Sequence, residues 1–314
     1  MQSFSTKVHT VAVCAVVSLL LAAYPFLCIG KDIPLAGPTL SRVLQNRVLR
    51  VGINPNFKPF SYLWPGLKDC PEKEREAHVG IDIDISVLLA RELGVDLKIV
   101  VPETFDHLIP MLQSGEIDIA ISAMSRVFER ALQVDFSEPY FRTGFSILLN
   151  IKKGYRLGIA GTRTYEELKD TLGLLGREDE IIVAVTRGKS AAGFVGSYFP
   201  NAKIIEFGTN EKAAEAVAEN KSDSLSPHIM VHDETFLNNW VGESPRDVRE
   251  KLVVFDRPFK PDTYGFAVAK GNLPFIPVLN LFISDKLFAE GNMEKFRAKR
   301  FFYYLPGVGI ESIR

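Results

Sequence analysis

Apolar residues in this chain come in short alternating or continuous blocks, separated by stretches with helical spacing. Val48 to Ile53 alternates as a strand. Gly80 to Gly94 places Ile85, Leu88, Leu89 and Leu93 on one helical face, with Asp82 or Asp84 to cap its start and Gly94 just past its end. Val95 to Val101 alternates again, and Phe105 to Ser114 reads as a helix closed by Gly115. Ile117 to Met124 is apolar enough for a strand buried on both faces of a parallel sheet. The order β-α-β-α-β demands parallel pairing with right-handed crossovers.

The pattern continues beyond a long apolar strand, Thr143 to Ile151, which suits a crossing between two halves of the molecule. Ile181 to Ala191 carries a buried strand into Gly188, Lys189 and Ser190 and then a helix-compatible run from Ala191 to Phe199. Asn201 to Phe207 supplies a further strand, and Glu211 to Asn220 a helix with Ala213, Ala214, Val217 and Ala218 inward. Phe255 to Lys270 is a loop into a strand that recrosses. Phe275 to Glu290 shows Ile276, Leu279, Ile283 and Leu287 on one face up to Gly291, and a last helix starts at Asn292. The expectation is two α/β lobes joined by two crossings, the first lobe discontinuous.

Two stretches fall outside this pattern. Lys7 followed by the apolar run Val11 to Ile29 reads as a signal peptide or a retained membrane anchor within residues 1–30, so the body is exported. Pro25, Phe26 and Leu27 are too bulky for a lipidation signal ahead of Cys28. Leu63 to Val79 is polar and charged, a surface insertion holding the thiol of Cys70. Of the three cysteines, Cys14, Cys28 and Cys70, a processed chain keeps only Cys70, which leaves no internal disulfide.

Composition then narrows the class. With 314 residues, 46% of them apolar, the chain can bury the core of one large or two ordinary domains. A net charge of −1 without any basic block argues against a nucleic-acid partner.

Candidate chemistry gathers beyond strand ends. Arg130 follows the Ile117 strand and the polar turn Ser125 to Glu129, where open α/β sheets bind ligands, and its planar fork suits a carboxylate. The competing reading is a surface ion pair with Glu129 or Asp135. Phe57 and Phe60 stand in a loop shaped by Pro55 and Pro59, Phe60 better suited to capping the core and Phe57 to recognition. Gly188, Lys189 and Ser190 lead into a helix, a setting that favours anions. The same Gly-Lys-Ser ends nucleotide-binding loops, but Val183 stands where that motif needs its first glycine. His228 and His232 show an HxxxH spacing without further ligands, a poor metal site, and no cofactor is expected.

Taken together, Ala123 through Arg130 with VDFSEPY (Val134 to Tyr140), GIDID (Gly80 to Asp84) and the segment Tyr264 to Gly271 resemble the family 3 bacterial extracellular solute-binding proteins, the polar amino-acid receptors of ABC importers. The resemblance runs from about Val48 to Phe302. It implies a type II periplasmic-binding-protein-like fold of mostly parallel sheets, with lobe 1 in residues 47–147 and 262–304, lobe 2 in residues 148–261, and a tail at 305–314. It implies a ligand α-carboxylate held by Ala123, Ser125, Arg130 and the Gly188 to Ser190 loop, with Phe57 stacking on one side and Phe105 covering the other. Lys189 departs from the family's hydroxyl residue, which either favours an acidic ligand side chain or leaves the lysine in solvent. The family's ammonium-binding Asp lies about five residues beyond the position of Asp223: counting gives His228, the local phrase VHDE gives Asp233, and both stay open. The implied partners are a small carboxylate ligand, an amino acid first, and a membrane permease; the implied place is periplasmic or extracytoplasmic, as a monomer. A related cyclohexadienyl dehydratase is the enzyme alternative, but its general-acid Glu falls on Ala191, and a sensor acting through a membrane partner is the third reading.

Overall fold

Two long strands, β6 (Val134–Asn150) and β11 (Lys260–Ala269), form an antiparallel ribbon through the middle of the main sheet, pairing from Phe145↔Lys260 to Val134↔Ala269. The computed structural model describes residues 38–63, 78–219 and 225–303. The expected signal or anchor segment 1–30, Cys14, Cys28, Cys70 with most of its insertion, Asp223 and the tail 305–314 lie outside the described residues.

On one side of the ribbon stand β1 (Val48–Gly52), β4 (Asp96–Val100) and β5 (Ile119–Ala120), with β1 parallel to both its neighbours. On the other stand β7 (Ile182–Thr186), β8 (Lys203–Phe207) and β9 (Ile229–Asp233), with β7 parallel to both of its neighbours, and β10 (Leu252–Val254) pairs β6. The sheet order among the described residues is β4-β1-β5-β11-β6-β9-β7-β8. A separate two-stranded sheet joins β2 (Tyr62–Leu63) to β3 (His78–Val79). Each parallel set needs helical crossovers, and the chain supplies them at the expected places. These include Ile81–Leu93 after β3, Leu108–Ser114 after β4, Ser190–Tyr198 after β7 and Asn210–Ala218 after β8.

Burial follows the two-residue period of the strands. In β6, Ile147 and Leu149 join one apolar cluster and Leu148 another; in β7, Val183 and Val185 oppose Ala184; in β9, Ile229 and Val231 oppose Met230. Both faces of these strands are therefore covered, which explains their unbroken apolar runs. On the β1 side, Ile119 and Ile121 face one cluster while Ala120, Met124 and Ala267 face a third under Leu108 and Leu112. Two α/β lobes thus share one continuous sheet, connected by β6 and β11.

Some details differ from the expected pattern. Only Ile119 and Ala120 of the Ile117 to Met124 run form ladder pairs, because the chain turns sharply at Ala123, φ 48°. The strand that contains the expected first crossing, Thr143 to Ile151, begins earlier, at Val134. The Phe275 helix is α-helical to Leu281 and continues as π-helical turns over Phe282–Ala289. Asp82 is no cap: the residue before its helix is Gly80, without a side-chain capping bond, and the Asp82 carboxyl is buried.

Candidate functional site

The loops at the carboxyl ends of β1, β4 and β5 meet those after β7 and β9 over the crossing ribbon. Asn54, Phe57, Phe105, Ala123, Ser125 and Arg130 come from the first group. Lys189, Ser190, His232 and Asp233 come from the second, and Phe145 and Tyr264 from the ribbon. They enclose about 30 Å³, far less than the few hundred Å³ of a typical small-molecule pocket. The cleft is therefore contracted around its own side chains.

Arg130 sits on a short helix, α1 (Phe128–Ala131), and reaches across the cleft. Its Nη1 donates to Ser125 O and to Ser190 Oγ, both at 3.3 Å, and its Nη2 to Gly188 O at 3.1 Å. The guanidinium lies 5.1 Å from the Phe105 ring centroid. Burial pushes its pKa down, with Asp262 and Asp106 opposing. It pairs with neither Glu129 nor Asp135; Asp135 instead binds Lys270 at 2.8 Å and accepts from the Gly271 amide. The surface-pair reading is thereby corrected: a surface pair would have left the fork in water, whereas here the turn carries it inward.

Ser125 and Ala123 are held from behind. Ser125 Oγ donates to Asp262 Oδ2 at 2.6 Å, and its backbone bridges Tyr264. The Ala123 amide donates to Tyr140 Oη at 3.0 Å, and Tyr140 donates to Asp82 Oδ1 at 2.8 Å. Burial pushes the Asp82 carboxyl up to about 7, the Tyr140 hydrogen bond opposing it. Three separate segments thus fix one left-handed residue at the cleft wall.

Asp233 ends β9 inside the cleft and caps α2 (Glu234–Glu243). Its Oδ2 accepts from Thr143 Oγ1 at 2.6 Å and Tyr264 Oη at 2.5 Å, and its Oδ1 from the Thr235 and Phe236 amides. Burial raises its pKa, and the bonds from Thr143, Tyr264 and Thr235 work against that shift. His228 is not brought to the site. Its Nδ1 accepts from the Ile182 amide at 2.9 Å beside β7, so the position reached by counting is a strand-edge partner. His228 and His232 are about 13 Å apart along an extended chain, too far to share a metal ion, and no metal-binding cluster exists among the described residues.

Phe57 is buried, stacked on Phe60 at 5.4 Å, so it serves the core and the cleft wall together. Lys189 points inward: its Nζ lies 3.5 Å from the Phe105 centroid and 5.8 Å from that of Phe57. Burial, reinforced by Arg130, pulls its pKa down to about 7. Gly188 adopts φ 71°, and an added Cβ would overlap the Asp106 carboxylate.

Asn54, Phe145, His232, Asp262 and Tyr264 were not among the expected site residues. His232 is buried, its Nε2 3.0 Å from Asn210 Oδ1, while Nδ1 has no partner. Burial pulls its pKa down to about 3, so the imidazole is neutral. Tyr264 and Asp262 stand in the segment read only as a crossing strand; their polar groups amid its apolar residues were the available signal. The Gly161 to Thr164 turn is structural, Thr164 forming a capping box with Glu167.

The family described as bacterial extracellular solute-binding proteins, family 3, matches residues 49–302. The ABC transporter glutamine-binding protein of Bacillus subtilis is 27% identical over 263 residues, 83% of this chain and 84% of its own length. The glutamine-binding protein of Geobacillus stearothermophilus is 30% identical over 234 residues, 74% of this chain and 76% of its own. Among solved structures, an ancestral amino acid-binding protein described as a precursor of cyclohexadienyl dehydratase aligns with a TM-score of 0.65 and 28% identity. That alignment covers 84% of this chain and 99% of the other.

Proposed function

The chain belongs to family 3 of the bacterial extracellular solute-binding proteins, and from that premise we propose that it captures an amino acid between its lobes for an ABC-type importer. The observation that carries this reading is Arg130, a partly buried guanidinium from one side of the cleft bonded to Gly188 and Ser190 of the other. A ligand carboxylate entering here exchanges those backbone and hydroxyl acceptors for a bidentate, charge-assisted pair. Its ammonium lies toward Asp233, whose four donors orient the carboxyl group. Phe57 and Phe105 flank the rest of the ligand, with Ala123, Ser125 and the Gly188 to Ser190 loop around the carboxylate.

Lobe 1 comprises residues 47–147 and 262–304 and lobe 2 residues 148–261 in this proposal, which the partner change of β6 from β11 to β9 supports. Because each lobe supplies part of the contacts, ligand favours the closed form by its differential affinity for it, and the closed form is what a permease reads. An exported, periplasmic, monomeric protein follows from the amino-terminal apolar run and the family. The dehydratase alternative is disfavoured because Ala191 offers no acid at the position expected for one.

The test is a thermal-shift screen of the full chain against amino acids, dicarboxylates, polyamines and prephenate. A ligand at 100 times its Kd adds about 2.7 kcal/mol to stability. Stabilisation by an amino acid that vanishes in Arg130→Ala supports the receptor reading. Stabilisation only by ligands without a carboxylate, or an unchanged shift in Arg130→Ala, removes the anchor, and turnover of prephenate moves the protein to the enzymes.

A further inference from the structure

The Phe105 ring carries two cations, one from each lobe: the Arg130 guanidinium at 5.1 Å and the Lys189 ammonium at 3.5 Å from its centroid. Lys189 also approaches Phe57 at 5.8 Å. It therefore lies between the two rings proposed to flank the ligand. Among the described residues no anion lies within ion-pair distance of its Nζ, which rests against the two ring faces. An ammonium taken out of water without a carboxylate is costly. Two cations sharing one ring repel each other, and two weak cation-π contacts do not offset that.

Three acidic groups around the cleft are otherwise engaged. Asp233 accepts four hydrogen bonds, and Asp262 accepts from Ser125 Oγ and the Thr263 amide. Glu211 accepts from Asn56 Nδ2 at 2.8 Å, and the Asp106 carboxylate lies against Gly188. A zwitterionic ligand with an uncharged side chain satisfies Arg130 and Asp233 and leaves Lys189 uncompensated. A cationic side chain adds a third positive charge between the same rings.

We infer that the ligand is an acidic amino acid, its α-carboxylate on Arg130 and its side-chain carboxylate on Lys189. This rests on the receptor reading and specifies its ligand. The side-chain carboxylate is the anion the Arg130, Phe105 and Lys189 arrangement lacks. It replaces the aromatic contacts of an unpaired ammonium with a charge-assisted hydrogen bond in a water-poor cleft. Binding also draws a proton onto Lys189. The charged and titratable groups facing that ammonium are Arg130, Asp106, Glu211, His232, Asp233 and Asp262. His232 is neutral, and Lys189, pulled down to about 7, gains its proton as pH falls through that value.

The experiment is isothermal titration calorimetry of the full chain with L-glutamate, L-aspartate, L-glutamine, L-asparagine and L-arginine, at pH 6.5 and 8.5. The wild type is expected to bind one acidic amino acid at least tenfold more tightly than its amide, with that margin shrinking at pH 8.5. Lys189→Ser should collapse the margin to within about threefold, and Lys189→Arg should retain it. Equal or tighter binding of glutamine or arginine by the wild type, or an acidic preference that survives in Lys189→Ser, overturns the inference. If arginine or glutamine is the preferred ligand and its binding is lost in Arg130→Ala, the receptor reading stands without the acidic specificity. Binding of none of the five overturns both.

Discussion

The Asp106 carboxylate lies directly against the backbone of Gly188, so closely that a methyl group on Gly188 would overlap it. The two residues come from opposite sides of the cleft, and Gly188 also offers its carbonyl to Arg130 at 3.1 Å. Gly188→Ala meets two penalties, the left-handed φ of 71° and the overlap with Asp106. The first costs about 1–2 kcal/mol of fold stability; the second opposes closure and weakens ligand affinity. Adding Asp106→Ala should restore affinity in part and leave the stability loss untouched. Urea unfolding and calorimetry separate the two, and affinity that stays low in the double variant would show that the overlap is not what hinders closure.

Arg130→Lys keeps the charge and removes the fork. Affinity for a carboxylate ligand should fall at least tenfold, about 1.4 kcal/mol, because a lysine cannot bond both oxygens in one plane. Stability should change by less than about 1 kcal/mol, since Arg130 is only partly buried and its present acceptors return to water. An affinity within twofold of wild type would contradict bidentate binding.

Asp82 gives the fold a pH dependence with a definite sign. Its carboxyl is pushed from the ordinary 3.8 up to about 7 by burial, so the folded chain holds a proton that the unfolded chain has released. The stabilisation is full below about pH 4 and is lost as pH rises toward 7. In Asp82→Asn that slope should disappear: the wild type's advantage over the variant declines between about pH 4 and 7 in urea titrations. A constant difference across this range would mean Asp82 is ionised throughout.

Asp118 is buried between Arg42 and Arg50. It accepts from Arg50 Nε at 3.0 Å, Arg50 Nη2 at 2.8 Å and the Arg50 amide at 2.8 Å, as well as pairing with Arg42. Asp118→Ala leaves an amide and two guanidinium groups without their acceptor and should cost about 2–3 kcal/mol. A urea midpoint within experimental scatter of wild type would show that solvent replaces the carboxylate freely.

The strand and helix order was legible because burial imposes a period. Runs such as Ile182–Thr186 and Ile229–Asp233 are apolar at every position but the last one or two, and only strands covered on both faces require that. Arg130 and Phe57 were legible as site candidates because strand ends and loop aromatics are where an α/β sheet exposes its chemistry, whereas Asp233 came only through the family resemblance, with His228 beside it. The sequence by itself thus determined the alternation of elements, the two crossings and most of the cleft wall.

Tertiary structure decided the rest. Counting could not choose between His228 and Asp233; the register of β9 against β7 and β6 did, by spending the His228 Nδ1 on the Ile182 amide and leaving Asp233 at the cleft. Nor could any local pattern tell whether Lys189 faced solvent, or that Asp82, Tyr140 and Ala123 form one chain of hydrogen bonds. Local sequence encodes periodicity, because propensity and burial act over a few residues. Which polar groups meet depends on contacts between segments distant in the chain, such as Ser125 with Asp262, and those exist only once the two halves of the sheet are joined.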